Sequence, residues 1–202
     1  MMTLDEKFYM QDALKAARAL LGKLLIRRVA GEDYHFKIVE VEAYMGEEDK
    51  GAHAFEGKRT PRTAPLFEQG GIAYIYLIYG MYHCLNIVVN EKEVPQCVLI
   101  RAIEPIDEKA TRFAMSNRHI KSRKVEDLTN GPGKLCKALR IDKTLNATSV
   151  REEGELWLAI GKDKKLEIVS AKRINIPYAE EYQDVPWRFY IKDNPFVSVI
   201  EK

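Results

Sequence analysis

The chain has 202 residues, of which 46% are apolar and 31% charged. That length suits one domain with an adequate core, and no apolar run approaches the ~20 residues a membrane-spanning helix needs. The net charge of +2 is weak evidence for an anionic partner, and its distribution says more. Residues 1–100 carry 12 basic and 14 acidic side chains, residues 101–202 carry 20 and 16, and the window 112–143 has nine against three. Such clustering suits either phosphate contact or a solvated helix face. The start, MMTLDEKFYMQDALKAA, lacks the basic-then-apolar order of a secretory signal. Cys84, Cys97 and Cys136 are too few and wrongly spaced for a disulfide framework or a zinc site. The expectation is a reduced, cytoplasmic, monomeric protein with buried thiols and no metal.

Thr3 to Leu21 predicts one helix, with Thr3 as cap, Asp5 and Glu6 in the first turn, and Gly22 past its end. Lys23 to Ala30 predicts a strand, turned at Gly31-Glu32-Asp33 into a second, antiparallel one. From Ile38 to Met45 the chain alternates: Val39, Val41, Ala43 and Met45 take one face, and Glu40, Glu42 and Tyr44 the other. That is either a half-solvated strand or a catalytic carboxylate beside an aromatic platform. Gly46 to Gly71 is long and polar, and loops of such length are commonly functional or disordered. Within it, His53 is a loop hydrogen bond or a site. The charges and hydroxyl of Lys58-Arg59-Thr60-Pro61-Arg62 suit phosphate oxygens or plain surface.

Ile72–Tyr79 and Tyr82–Asn90 predict a hairpin around Gly80-Met81. Tyr74 and Tyr76 share a face, whereas Tyr79 projects at the tip beside Met81 and Tyr82, where large apolar groups are expensive to expose without a partner. Asn86 sits among apolar residues and is a structural clamp or a lining residue. Arg101 lies in the apolar run VLIRAIE and needs an anionic partner, for which Glu42 is the choice. Ile106–Asn117 predicts a helix and Arg118–Lys124 a basic loop. Asn130-Gly131-Pro132-Gly133 opens a second helix, Lys134–Ile141, as a phosphate-facing N-terminus or a simple cap. Glu155–Ile160 and Lys165–Arg173 predict closing strands, and residues 174–202, with Pro177, Pro186 and Pro195, predict irregular chain. The fold class is α+β: a single domain, 1–202, with a curved, largely antiparallel sheet, flanking helices and long loops.

The blocks EAYMGEEDKGAH, TPRTAPLF, YIYLIYGMYHCLN, VLIRAIEP, LTNGPGKLCKALRI and PWRFYIKDNPFVS, taken in order, resemble the alkyladenine (3-methyladenine) DNA glycosylases of the methylpurine type. The resemblance implies a monofunctional enzyme of base excision repair, free of cofactors, acting on double-stranded DNA with damaged purines and nucleoid-associated in a bacterium. It implies that Glu42 and Arg101 are catalytic and that Tyr44, His53, Tyr76 and Asn86 line a base pocket. It further implies that Tyr79 intercalates, with Met81 and Tyr82 beside it. Arg59, Thr60, Arg62, Gly131 and Lys134 are the phosphate contacts expected. The chain departs from the family's pattern at His83, where an apolar aromatic is frequent, at Gly51, where alanine is common, and along IPYAEEYQD. Two other readings stand beside this one: a non-catalytic nucleic-acid-binding module, and a small-molecule hydrolase using the Glu42–Arg101 pair.

Overall fold

One long strand organises the architecture. In the computed structural model, which describes residues 1–162 and 165–200, β2 (Glu32–Tyr44) runs through the middle of an eight-stranded antiparallel sheet. One edge of β2 pairs with β5 (Gln96–Pro105), from Phe36↔Pro105 to Tyr44↔Cys97. The other edge is shared. Its first half pairs with β1 (Leu24–Val29) and its second half, at Glu40 to Glu42, with β8 (Arg188–Ile191). Beyond β5 lie β4 (Tyr82–Val89) and β3 (Ala73–Ile78); beyond β1 lies β6 (Leu156–Ala159), and beyond β8 lies β7 (Ile168–Ala171). Register shifts on either side of Glu40 against β5 mark a β-bulge. A bulge sharpens local twist, and this one falls where β2 exchanges β1 for β8. The α+β class with a curved antiparallel sheet is the one expected from the sequence.

Helices cover one face. α2 (Ala13–Leu20) buries Ala13, Ala16, Ala17 and Leu20 completely, at helical spacing. α3 (Glu108–Asn117) and α4 (Pro132–Ala138) pack on the same core, which takes in Val39, Val41 and Ala43 of β2. The single N-terminal helix expected from the sequence is two. α1 (Glu6–Tyr9) is capped by Asp5, whose carboxylate accepts from the N–H of Phe8 at 2.9 Å; α2 is capped by Asp12, which accepts from Lys15 at 3.0 Å. Asp12 begins a new helix where a continuous one was read, and Thr3 pairs with Ala159 as an isolated bridge instead of capping. Likewise α3 starts at Glu108, capped by Asp107, and α4 starts two residues early because Pro132 fits the first helical position. The larger correction is the tail. Read as irregular, it supplies β8, wedged between β2 and β7, with Phe189 and Ile191 in the core. Residues 201 and 202 of that range lie outside the described residues.

Candidate active site

The alternating face of β2 is not half-solvated: Glu40 and Glu42 are fully buried. The tail covers them. Ser198 donates its N–H (2.6 Å) and hydroxyl (2.9 Å) to Glu40, and the N–H of Ile174 donates to Oε1 of Glu42 at 2.7 Å. Two guanidinium groups balance the two carboxylates. Arg101, on β5, stands 3.2 Å from Glu42 through Nη1 and 3.2 Å from Glu40 through Nε. Arg188, on β8, reaches Glu40 at 3.0 Å. Buried charges persist only when paired and hydrogen-bonded in this way. Burial opposes the charge on Arg101, but Glu42 and then Glu40 outweigh it, so the guanidinium pKa rises above its ordinary value. The remaining oxygen of Glu42, Oε2, accepts from the hydroxyl of Tyr44 at 2.9 Å.

Tyr44 is also a wall of a ring-lined pocket. Its neighbours there include His53, Tyr74, Tyr76 and Asn86, drawn from β2, the 46–71 loop, β3 and β4. His53 stands edge-on to Tyr76, with centroids 4.5 Å apart, and its Nδ1 lies 2.9 Å from the Tyr74 hydroxyl. Asn86 faces Tyr74 across the β3–β4 ladder and donates to its carbonyl at 3.1 Å, so it is both a clamp and a lining group. Free space amounts to about 30 Å³, enough for one or two waters. The electrostatics are those of a buried, ring-walled slot. Burial first, then Arg62 and Lys58, push the His53 imidazole down to about 4. Burial first, then Glu42, hold the Tyr44 phenol well above its usual range, and Tyr74 and Tyr76 are raised chiefly by burial.

Behind Tyr44 lies an ion pair that sequence reasoning missed. Arg173 donates to both oxygens of Asp49, at 2.6 and 2.7 Å, with both side chains fully enclosed. Its guanidinium sits 4.7 Å from the Tyr44 ring centroid and 5.0 Å from that of Trp187. The pair thus backs one pocket wall and ties the 46–71 loop to the end of β7. Burial opposes this charge too, but the bonds to Asp49 raise the Arg173 pKa overall. A Cβ on Gly51 would stand 2.9 Å from Arg173 Nη2, so the glycine gives this guanidinium room.

At the far side of the sheet, β3 and β4 meet through three residues, Tyr79-Gly80-Met81, with Ile78 opposite Tyr82. The turn therefore begins one residue earlier than expected. Tyr79 adopts φ 53° and Gly80 φ 67°, a left-handed pair matching the twist of a tight hairpin. Tyr79 is 74% exposed and Met81 67%, with Tyr82 at their side. The start of α4 abuts this tip: a Cβ on Gly133 would fall 2.9 Å from Cβ of Tyr82. Gly131 opens that helix, and Lys134 bonds Asn130 at 2.6 Å. Of the loop's basic cluster, Arg62 lies 5.1 Å from the Tyr76 ring centroid, at the pocket. Arg59 is paired with Glu93 at 2.6 Å, and Thr60 is engaged with Thr63 inside a turn.

The antiparallel sheet thus carries a slot walled by rings, a buried carboxylate–guanidinium pair behind it and an exposed aromatic tip. Relatives by sequence give the class, a DNA glycosylase. More narrowly, the chain belongs to the methylpurine-DNA glycosylase (MPG) family, whose model matches residues 7–195. Three relatives are named "Putative 3-methyladenine DNA glycosylase". That of Natranaerobius thermophilus is 50% identical over 199 residues, covering 98% of this chain and 100% of the relative. That of Clostridium botulinum is 49% identical over 201 residues, covering 98% and 99%. The third, of Clostridioides difficile, is 46% identical over 204 residues, covering 94% and 100%.

Proposed function

We propose that this protein is a monofunctional glycosylase of base excision repair, working as a monomer on double-stranded DNA in the cytoplasm. It extrudes alkylated or deaminated purines from the stack and hydrolyses their N-glycosidic bond. One observation carries the reading: the Tyr44 phenol, a wall of the pocket, hydrogen-bonds the carboxylate that Arg101 pairs with. A base held against Tyr44 brings its deoxyribose toward Glu42. Extrusion costs a few kcal/mol, which Tyr79 offsets by entering the vacated stack, with Met81 and Tyr82 as wedges in the groove. Arg59, Thr60, Arg62, Gly131 and Lys134 meet backbone phosphates.

Within the pocket, Tyr44, His53 and Tyr76 present ring surface to the base, and Asn86 limits which exocyclic groups fit. A purine methylated at N3 or N7 is cationic and gains about 0.5–2 kcal/mol against an aromatic face. His53, neutral near pH 7 because burial lowers its pKa to about 4, does not repel it. Cleavage passes through an oxocarbenium-like sugar. Glu42 stabilises positive charge at C1′ and takes a proton from the attacking water while Arg101 orients that water. The C1′–N bond electrons leave with the base; a cationic base departs neutral and needs no acid, whereas a neutral base such as a deaminated purine departs as an anion and takes its proton from water. No cofactor enters this scheme, and the products are free base and an abasic site without strand scission.

The test is incubation with methylated duplex DNA and detection of free 3-methyladenine. Glu42→Gln should lower base release about 10²-fold or more, as loss of a general base does, while DNA binding persists. Release at the normal rate would refute the role of Glu42, and binding with no release by the unmodified protein would favour a non-catalytic binding module.

A further inference from the structure

Tyr178 has no part in the roles above. It lies in the tail segment Pro177–Gln183, far along the chain from the strands that build the pocket, yet it lines that pocket. Where Tyr74 is buried, Tyr178 is 61% exposed: its outer surface meets solvent and its inner edge meets the cavity. Its hydroxyl donates across the mouth to the carbonyl of Gly51, over a long 3.4 Å. A second fastening lies beside the first. Lys50 bonds Glu180 at 2.5 Å and Glu181 at 3.0 Å. Exposed ion pairs of this kind contribute little each, and a long hydrogen bond is weak. Glu180 moreover adopts φ 48° and ψ −124°, which side chains of L-residues rarely allow. The segment is anchored by the buried Ala179 and by Arg173, which donates to the Tyr182 carbonyl at 3.3 Å, while the exposed Tyr178 side chain rests on the long bond to Gly51 and can swing at small cost.

Its position is also telling. The ring lines the pocket with Tyr44, His53 and Tyr76, and its hydroxyl reaches the carbonyl of Gly51, which lines the same pocket from the 46–71 loop. The pocket's free space is that of one or two waters, so a purine enters only if the lining rearranges, and Tyr178 is its exposed member.

We propose that Tyr178 is the lid of the base pocket and a determinant of lesion size, leaving Gly51 to admit a base and then packing on the edge of the base it has admitted. This rests on the glycosylase reading above. A methylated purine adds one small group and needs a partial swing, whereas the fused third ring of ethenoadenine needs a full one.

The experiment compares kcat/KM for 3-methyladenine and ethenoadenine in duplexes of otherwise equal sequence, using the unmodified protein, Tyr178→Phe and Tyr178→Ala. Tyr178→Ala should raise the ethenoadenine-to-3-methyladenine ratio about tenfold. Tyr178→Phe, which loses only the hydroxyl, should shift it about two- to threefold, the low end for one hydrogen bond. Affinity for a duplex with a stable abasic-site analogue, and thermal unfolding, should be unchanged in both variants. An unaltered ratio, or an equal loss on both lesions, overturns the lid while base release by the unmodified protein keeps the glycosylase reading. Failure of the unmodified protein to release any base overturns both.

Discussion

Acidification from pH 7 to pH 5 should leave His53 largely neutral. An imidazole with its ordinary pKa of about 6.5 is almost wholly protonated at pH 5; with a pKa of about 4 only about a tenth of it is, by the same relation. The cause is burial, reinforced by Arg62 and Lys58, with the Tyr74 hydroxyl 2.9 Å from Nδ1. The folded pKa lies below the unfolded one, so the unfolded chain binds more protons between about pH 6.5 and pH 4. Stability from this group is therefore complete above about pH 6.5, falls with the pH, and is gone below about pH 4. The shift from 6.5 to about 4 corresponds to at most about 3.5 kcal/mol, at about 1.4 kcal/mol per unit. Titration of the imidazole ring signals by NMR, with His53→Gln for assignment, measures the pKa directly. Urea unfolding at pH 7 and pH 4.5 should show the unmodified protein losing about 2 kcal/mol more than His53→Gln does. A His53 midpoint near pH 6.5, or equal acid losses in the two proteins, would refute the argument.

Other expectations follow from the buried charges and the tip. Asp49→Asn strands the Arg173 guanidinium behind Tyr44 and should lower stability by about 3 kcal/mol, the usual result of breaking a buried pair, read as a drop in urea midpoint. Glu40→Gln loosens Arg101 and Arg188 together; single-turnover base release should slow about tenfold, as for a group that only positions another, with DNA affinity retained. Unchanged single-turnover rates would make Glu40 a purely structural anchor. Tyr79→Ser should weaken binding to damaged duplex about tenfold, within the 1–3 kcal/mol typical of base–aromatic stacking; equal affinities in gel-shift titrations would count against intercalation.

Much of this was legible between Ile38 and Arg101. Strict alternation, an arginine in an apolar run and tyrosines beside a glycine turn are local signals, and each marks a strand or a tip whose neighbours lie nearby. The Glu42–Arg101 contact was readable because a guanidinium in an apolar run demands an anionic partner, but that Glu40 shares it was not. What escaped has no local signature. Asp49 and Arg173 are 124 residues apart, one in an aperiodic loop and one at a strand end, so nothing in either stretch points to the other. Arg188 in RFYI had the same mark as Arg101 in VLIRAIE, an arginine among β-formers, but three prolines in the tail argued for irregular chain. The burial of Glu40 and Glu42 could not be read from alternation alone, since it depends on which segment lies across that face. Tyr178 was hidden for the same reason: its place over the pocket comes from the chain's return and leaves no trace in IPYAEEYQD.

The distance along the chain between partners has a consequence for assembly. Glu40 meets Ser198 across 158 residues, and Glu42 meets Ile174 across 132. Contacts of that span form late, because loop closure must come first. A chain that stops short of Ile174 lacks the Ile174 N–H, Arg188 and Ser198, and leaves Glu40 and Glu42 with Arg101 and Tyr44 as their remaining partners among those described above. The two carboxylates acquire their full set of partners only when residues 174–198 are in place.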